Sequence, residues 1–168
     1  MNKLLVFIFA VLCLTGFTVN AGARAIQEKD ALKASESNNF TDNVGKKWIL
    51  TKVSINGKDT DFNRDELISM DNQGELFSLN FDGKGTLSGV GAPNRYSGPY
   101  TLSDKQTIKV QPMRSTLMAS IFEPKGLKEN DYYVYLQTAF KWARIDRRLE
   151  IHSKTGDDTV IMTFIFND

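Results

Sequence analysis

The chain has 168 residues, 41% hydrophobic and 24% charged, with 21 Lys and Arg against 20 Asp and Glu. That is too apolar for a disordered chain and too charged for a bundle of membrane helices. Lys3 is the sole charged residue before Ala21, so the chain from Gly22 onward carries 20 basic and 20 acidic groups. This balance offers no electrostatic footprint for nucleic acid and no polybasic stretch for anionic lipid.

Residues 1–21 have the form of a cleavable export signal. Lys3 precedes the apolar run from Leu4 to Leu14, and small or polar residues follow through Val19-Asn20-Ala21. The run falls short of the ~20 residues a bilayer span requires, so no transmembrane segment is expected after cleavage. Cys13, the only cysteine, sits inside the run behind Leu12. A lipid-attachment signal wants a small residue there, and the mature protein is left without a disulfide or a thiol nucleophile. Residues 22–45 are rich in Lys, Glu, Ser and Asn and read as a polar linker with helical tendency at 26–34. Asn39-Phe40-Thr41 fits a glycosylation sequon. The remainder, 46–168, is roughly 120 residues, enough for one domain with one core.

From Trp48 the pattern is one of short strands between turn residues. Trp48–Ile55 is a strand closed by Asn56-Gly57, a strong hairpin signal. Asp65–Ile68 reads as a helical turn or loop. Leu76–Phe81 alternates, with Phe77, Leu79 and Phe81 on one face, and Asp82-Gly83 turns the chain into a strand at 84–90. Gly98–Leu102 and Thr107–Val110 are further strands, separated by a turn at Ser103-Asp104. Glu129–Ala143 places Tyr133, Leu136, Phe140 and Ala143 at helical spacing, which predicts one amphipathic helix packed on the sheet. Two closing strands follow: one has Leu149 and Ile151 inward, the other Val160, Met162, Phe164 and Phe166. Ile161 and Ile165 on its opposite face mark the last strand as covered on both sides. The sum is a mainly antiparallel β fold with one helix (α+β), a curved sheet or partly open barrel of about 7–8 strands.

Several landmarks in order resemble the META/HslJ family, small domains found mostly in bacterial envelope proteins. They are Trp48-Ile49-Leu50, then Leu79-Asn80-Phe81-Asp82-Gly83, then Gly89 through Gly98 with its Asn94-Arg95-Tyr96-Ser97-Gly98 segment, then Ser115-Thr116-Leu117-Met118-Ala119. The resemblance covers about residues 47–167. It implies a compact antiparallel β fold crossed by a helix, a periplasmic or extracellular location, and links to heat stress, drug tolerance and virulence; it implies no common reaction. Many family members carry Cys just before the Asn-Arg-Tyr segment and another just after Met-Ala, where this chain has Pro93 and Ser120. If those cysteines pair in relatives, the two loops lie close in space. Here they must be held without the ~2–4 kcal/mol a disulfide often contributes.

Chemistry-bearing residues are sparse. His152 is the sole histidine and is expected on an outward strand face beside Glu150, so no zinc site, other metal site or cofactor is expected. No serine has a nucleophile elbow or a His partner, and the acids at Asp59, Asp61, Asp157 and Asp158 read as turn residues that cap and solvate. Glycines 83, 85, 89 and 91 lack the following Lys-Ser/Thr helix of a phosphate loop. The remaining candidate is a structural or interaction motif: Asn94, Arg95, Tyr96 and Gly98, with Ser115, Thr116 and Met118. Within it, Asn bonds its own loop, Arg pairs with acids or carbonyls, and Tyr packs; the same trio also suits an anionic or peptide partner. The expected function is a noncatalytic exported domain, monomeric, that binds an unknown envelope protein or supports the envelope under stress. The alternative is a carrier of lipid or a small apolar ligand inside the curved sheet, drawing on Phe77, Phe81, Phe140, Phe164 and Phe166.

Overall fold

The computed structural model describes residues 36–37, 39–69, 76–103, 106–119 and 123–166. The expected export signal and Ser120 lie outside them. In chain order the elements are β1 (Glu36–Ser37), β2 (Trp48–Ile55), β3 (Lys58–Asp61), α1 (Arg64–Ser69), β4 (Ser78–Phe81), β5 (Thr86–Val90), β6 (Arg95–Ser103), β7 (Thr107–Val110), β8 (Arg114–Ser115), α2 (Glu129–Gln137), β9 (Ala139–Ile145), β10 (Arg148–Thr155) and β11 (Asp158–Phe166).

Local chemistry explains the turns. Asn56 and Gly57 both hold positive φ, 51° and 82°, as a two-residue turn matched to strand twist requires. Asp82 Oδ1 accepts from the N–H groups of Lys84 (2.7 Å) and Thr86 (2.9 Å), closing the turn between β4 and β5. Eight strands then pair in the order β9-β10-β11-β2-β4-β5-β6-β7. The ring closes where Thr107 of β7 meets Lys141 of β9, and the Trp142 N–H donates to the Gln106 carbonyl at 2.9 Å. Closure leaves no long edge between the first and last strands. β1, β3 and β8 flank the ring on β9, β2 and β6.

The barrel interior is filled. Trp48, Phe77, Phe81, Tyr132 and Phe164 are fully buried, and each such side chain stabilises the fold by about 1.5–3 kcal/mol. Their rings interlock: Phe77 lies 5.1 Å from Tyr132, Phe81 5.1 Å from Tyr100, and Phe40 4.9 Å from Phe81 and 5.0 Å from Trp142, centroid to centroid. β11, between β10 and β2, buries Val160, Met162, Phe164 and Phe166 inward and half-buries Ile161 and Ile165 outward.

Three elements depart from the sequence reading. The packed unit reaches upstream of residue 46: Phe40 and Asn43 are buried in a 3-10 turn, and the Trp48 indole N–H donates to the Asn43 carbonyl at 3.1 Å. One large apolar residue among polar neighbours did not mark that segment as part of the core. The helix expected over Glu129–Ala143 ends at Gln137, where Thr138 caps it by donating from Oγ1 to the Val134 carbonyl at 2.8 Å. Residues 139–145 form β9 because the barrel needs a strand there. Trp142 and Ala143 are buried, while Phe140, assigned to the helical stripe, is 47% exposed. Finally, Arg95 and Tyr96 begin strand β6, which starts three residues before the expected Gly98.

Candidate functional site

Between β5 and β6 the chain reverses within Gly91–Asn94. The Gly91 N–H donates to the Asn94 carbonyl at 2.6 Å, and the Ala92–Pro93 peptide is cis. Glu129, in the first turn of α2, reaches into this reversal. Its Oε1 accepts from the N–H groups of Ala92 and Asn94, both at 2.6 Å, and its Oε2 accepts from Asn94 Nδ2 at 2.6 Å. Charge-assisted bonds of this length are among the stronger neutral-to-ion contacts in proteins. A Cβ on Gly91 would sit 2.5 Å from both Glu129 Oε1 and Tyr133 Oη, so a larger residue there would displace the ends of those two side chains.

Asn94 is only 4% exposed, and its amide bonds in four directions. Besides Glu129, Nδ2 donates to the Met118 carbonyl at 2.9 Å, while Oδ1 accepts from Thr116 Oγ1 (2.8 Å) and the Met118 N–H (2.7 Å). One side chain thus joins the 91–94 reversal, the 115–119 segment and the start of α2. The 91–94 reversal and the 115–119 segment do lie together, held by hydrogen bonds.

Tyr96 points into the barrel. Its Oη donates to the Ser78 carbonyl at 2.8 Å and lies 3.0 Å from Tyr132 Oη, which also reaches Ser78 O at 3.2 Å. Burial pushes the Tyr96 and Tyr132 phenols well up from their ordinary range. Tyr133 donates to the Asn94 carbonyl at 3.2 Å, and its phenol is pushed up by burial and then by the Glu129 charge. Phenols shifted this way hold their protons at neutral pH and make poor bases. The Glu129 oxygens are already occupied by three donors.

These shifts carry a pH prediction. All five tyrosines are raised, Tyr100 and Tyr135 also chiefly by burial. A raised folded-state value gives stability that is complete below the unfolded value of 10.0 and is lost as pH climbs above it. Alkaline titration should show Tyr96, Tyr132 and Tyr133 ionising together with loss of the near-ultraviolet circular dichroism signal. Ionisation of all three with the native signal intact would contradict the burial described.

Arg95, Gly98, Ser115, Thr116 and Met118 take different places. Arg95 is exposed and points outward from β6. Gly98 lets Met113 cross β6, because a Cβ there would lie 2.7 Å from Met113 Cγ. Ser115, Thr116 and Met118 join Asn94, Leu117, Ala119, Glu129, Asn130 and Tyr133 around an open groove of about 490 Å³ between the 115–119 segment and α2. Leu117 on its rim is 97% exposed and Met118 44%. Glu129 and Tyr133 are site residues the sequence did not single out. An acid in the first turn of a helix reads as a dipole partner, and nothing in the spacing ties position 129 to 94. His152 lies where expected, with Nε2 3.2 Å from Glu150 Oε2. Asp59 and Asp61 lie on the exposed edge strand β3, not in a turn, with Asp59 paired to Lys52 at 3.0 Å. Among the described residues no group of three His, Cys, Asp or Glu side chains could hold a metal ion.

The closed antiparallel barrel crossed by one helix, with the Asn94 junction at its rim, defines a class of small β domain. The META domain family model matches residues 41–163, and the chain belongs to that family. The fold is similar to that of a protein from Burkholderia xenovorans solved by NMR, with a TM-score of 0.55 at 20% identity over 76% of this chain and 85% of the other. It is also similar to a DUF4847 family protein from Bacteroides vulgatus, with a TM-score of 0.51 at 13% identity over 76% and 96%. At these identities the likeness concerns fold alone. No curated protein matches the chain.

Proposed function

We propose that this is an exported, noncatalytic binding domain of the bacterial envelope, and that the groove beside Asn94 receives an extended polypeptide segment of another envelope protein. Export rests on the leader pattern at 1–21. The observation that carries the binding reading is the 115–119 segment. The Thr116 N–H donates to the Arg95 carbonyl at 3.0 Å and the Met118 N–H to the side-chain Oδ1 of Asn94, while Ser115 stands opposite Tyr96 in the paired strands. In such a ladder Ser115, between the bonded positions, directs its N–H and C=O away from β6 and leaves an edge free to pair, and Ser115, Thr116, Leu117 and Met118 all line the groove. An extended chain laid there gains main-chain hydrogen bonds, and Leu117 supplies an apolar contact.

The interlocked rings inside the barrel favour an external site over an internal apolar ligand, so the carrier reading takes second place. Both Glu129 oxygens are taken up by backbone and amide donors of the loop, which supports a noncatalytic role for the junction. A photoreactive amino acid at Leu117, compared with one at Leu102 on the exposed part of β6, tests the reading in the producing cell. The expected result is a crosslink at position 117 that maps to one extended stretch of one envelope protein and is missing at 102. Equal crosslinking at both positions, or none at 117, would defeat it.

A further inference from the structure

The Asn94-Arg95-Tyr96 segment divides in the structure. Asn94 and Tyr96 are consumed by the fold, but Arg95 is not. Its guanidinium is exposed and meets no carboxylate or carbonyl among the described residues. Beside it, Ser97 pairs with Arg114 of β8, and two residues further along each strand Arg95 faces Thr116. Tyr96 between them points inward, so Arg95, Ser97 and Arg114 share the outer face. Arg95 and Arg114 are therefore diagonal cross-strand neighbours. Two shallow clefts flank Arg114, one of about 280 Å³ including Arg95 and one of about 300 Å³ toward Pro99 and Pro112, and no acidic side chain lines either. Two like charges on one face of a sheet, at the spacing of diagonal neighbours, can meet one anionic segment together. Arg95 and Arg114 form a cationic ledge that adjoins the groove through Ser115 and Thr116.

We infer that Arg95 and Arg114 select an acidic partner segment for the groove, one with carboxylates on alternate residues of an extended chain. The spacing fits: diagonal neighbours on a sheet lie about 7–8 Å apart, and alternate residues of an extended strand are about 6.8 Å apart on one face. Guanidinium forks also match carboxylate geometry. This inference rests on the groove reading and adds the sign and pattern of the partner's charge.

The test uses protein produced from the full-length chain and two labelled peptides, one alternating Glu and Thr, the other Gln and Thr. Affinity is read by fluorescence anisotropy and location by amide shifts at 115–119. The Glu peptide should bind at least tenfold more tightly than the Gln peptide and shift those amides. Arg95→Ala/Arg114→Ala should erase the difference and leave the thermal midpoint unchanged. Because the two peptides are compared on the unaltered protein, the result stands even if the double variant folds poorly. Equal binding of both peptides with shifts at 115–119 would overturn the charge selection and keep the groove. Absence of shifts with either peptide would overturn both. Arginine-dependent binding to phosphatidylglycerol vesicles, with no peptide binding, would reassign the ledge to an anionic membrane surface.

Discussion

Gly89→Ala should leave little or no folded protein. A Cβ at position 89 would lie 1.9 Å from the Ser78 carbonyl oxygen and 2.7 Å from Tyr96 Oη. The first is backbone of the adjoining strand β4, so no side-chain rotation relieves it. The second is the hydroxyl that ties the Tyr96 ring to Ser78. Glycine is present because the Tyr96 phenol crosses the β5 backbone at its cross-strand partner. Moving β5 away from β4 would open the barrel between them and strip partners from Tyr96 and Tyr132. The expected loss exceeds about 4 kcal/mol, the range of single changes that unfold domains of this size. Circular dichroism and the yield of soluble protein measure it. A variant with a native spectrum and a midpoint within a few degrees of the parent would show that the strands do not approach so closely.

Asn94→Ala should cost about 2–4 kcal/mol. Removing the amide abandons one Glu129 oxygen, the Met118 N–H and carbonyl, and the Thr116 hydroxyl. A bond to an ionised group contributes about 1.5–3 kcal/mol and each neutral one about 0.5–1.5. Water entering from the groove recovers part of that sum, which sets the range below full additivity. The loss appears in urea as a lower midpoint with unchanged slope. Because Asn94 joins three segments, the 115–119 edge should also exchange amide hydrogens faster than in the parent, while β10 and β11 stay protected.

Much of this architecture is legible in the residues. The strand at Trp48–Ile55 with its Asn56-Gly57 turn, and the inward face of Val160–Phe166, follow from turn chemistry and side-chain period alone. The end of the helix was not legible. Leu136, Phe140 and Ala143 satisfy a helical stripe, and only the need for a strand between β7 and β10 turns Ala139–Ile145 into β9. Of the site, Asn94, Thr116 and Met118 could be named from the resemblance, and their proximity could be inferred from Pro93 and Ser120. What the three do could not, because the carboxylate that completes their network comes from Glu129, 35 residues from Asn94 in the chain. Tyr133 was visible as a packing residue but not as a donor to the Asn94 carbonyl. The division of the motif into inward Asn94 and Tyr96 and outward Arg95 depends on Arg95 belonging to a strand, where neighbours point to opposite faces.

That division is tested most directly by equilibrium urea unfolding of Arg95→Ala beside Asn94→Ala. Arg95 touches nothing the fold depends on through its side chain, so its replacement should change stability by no more than about 0.5 kcal/mol, against about 2–4 kcal/mol for Asn94. Comparable losses from the two variants would show that Arg95 holds the structure as Asn94 does, and would contradict the assignment of its guanidinium to a partner.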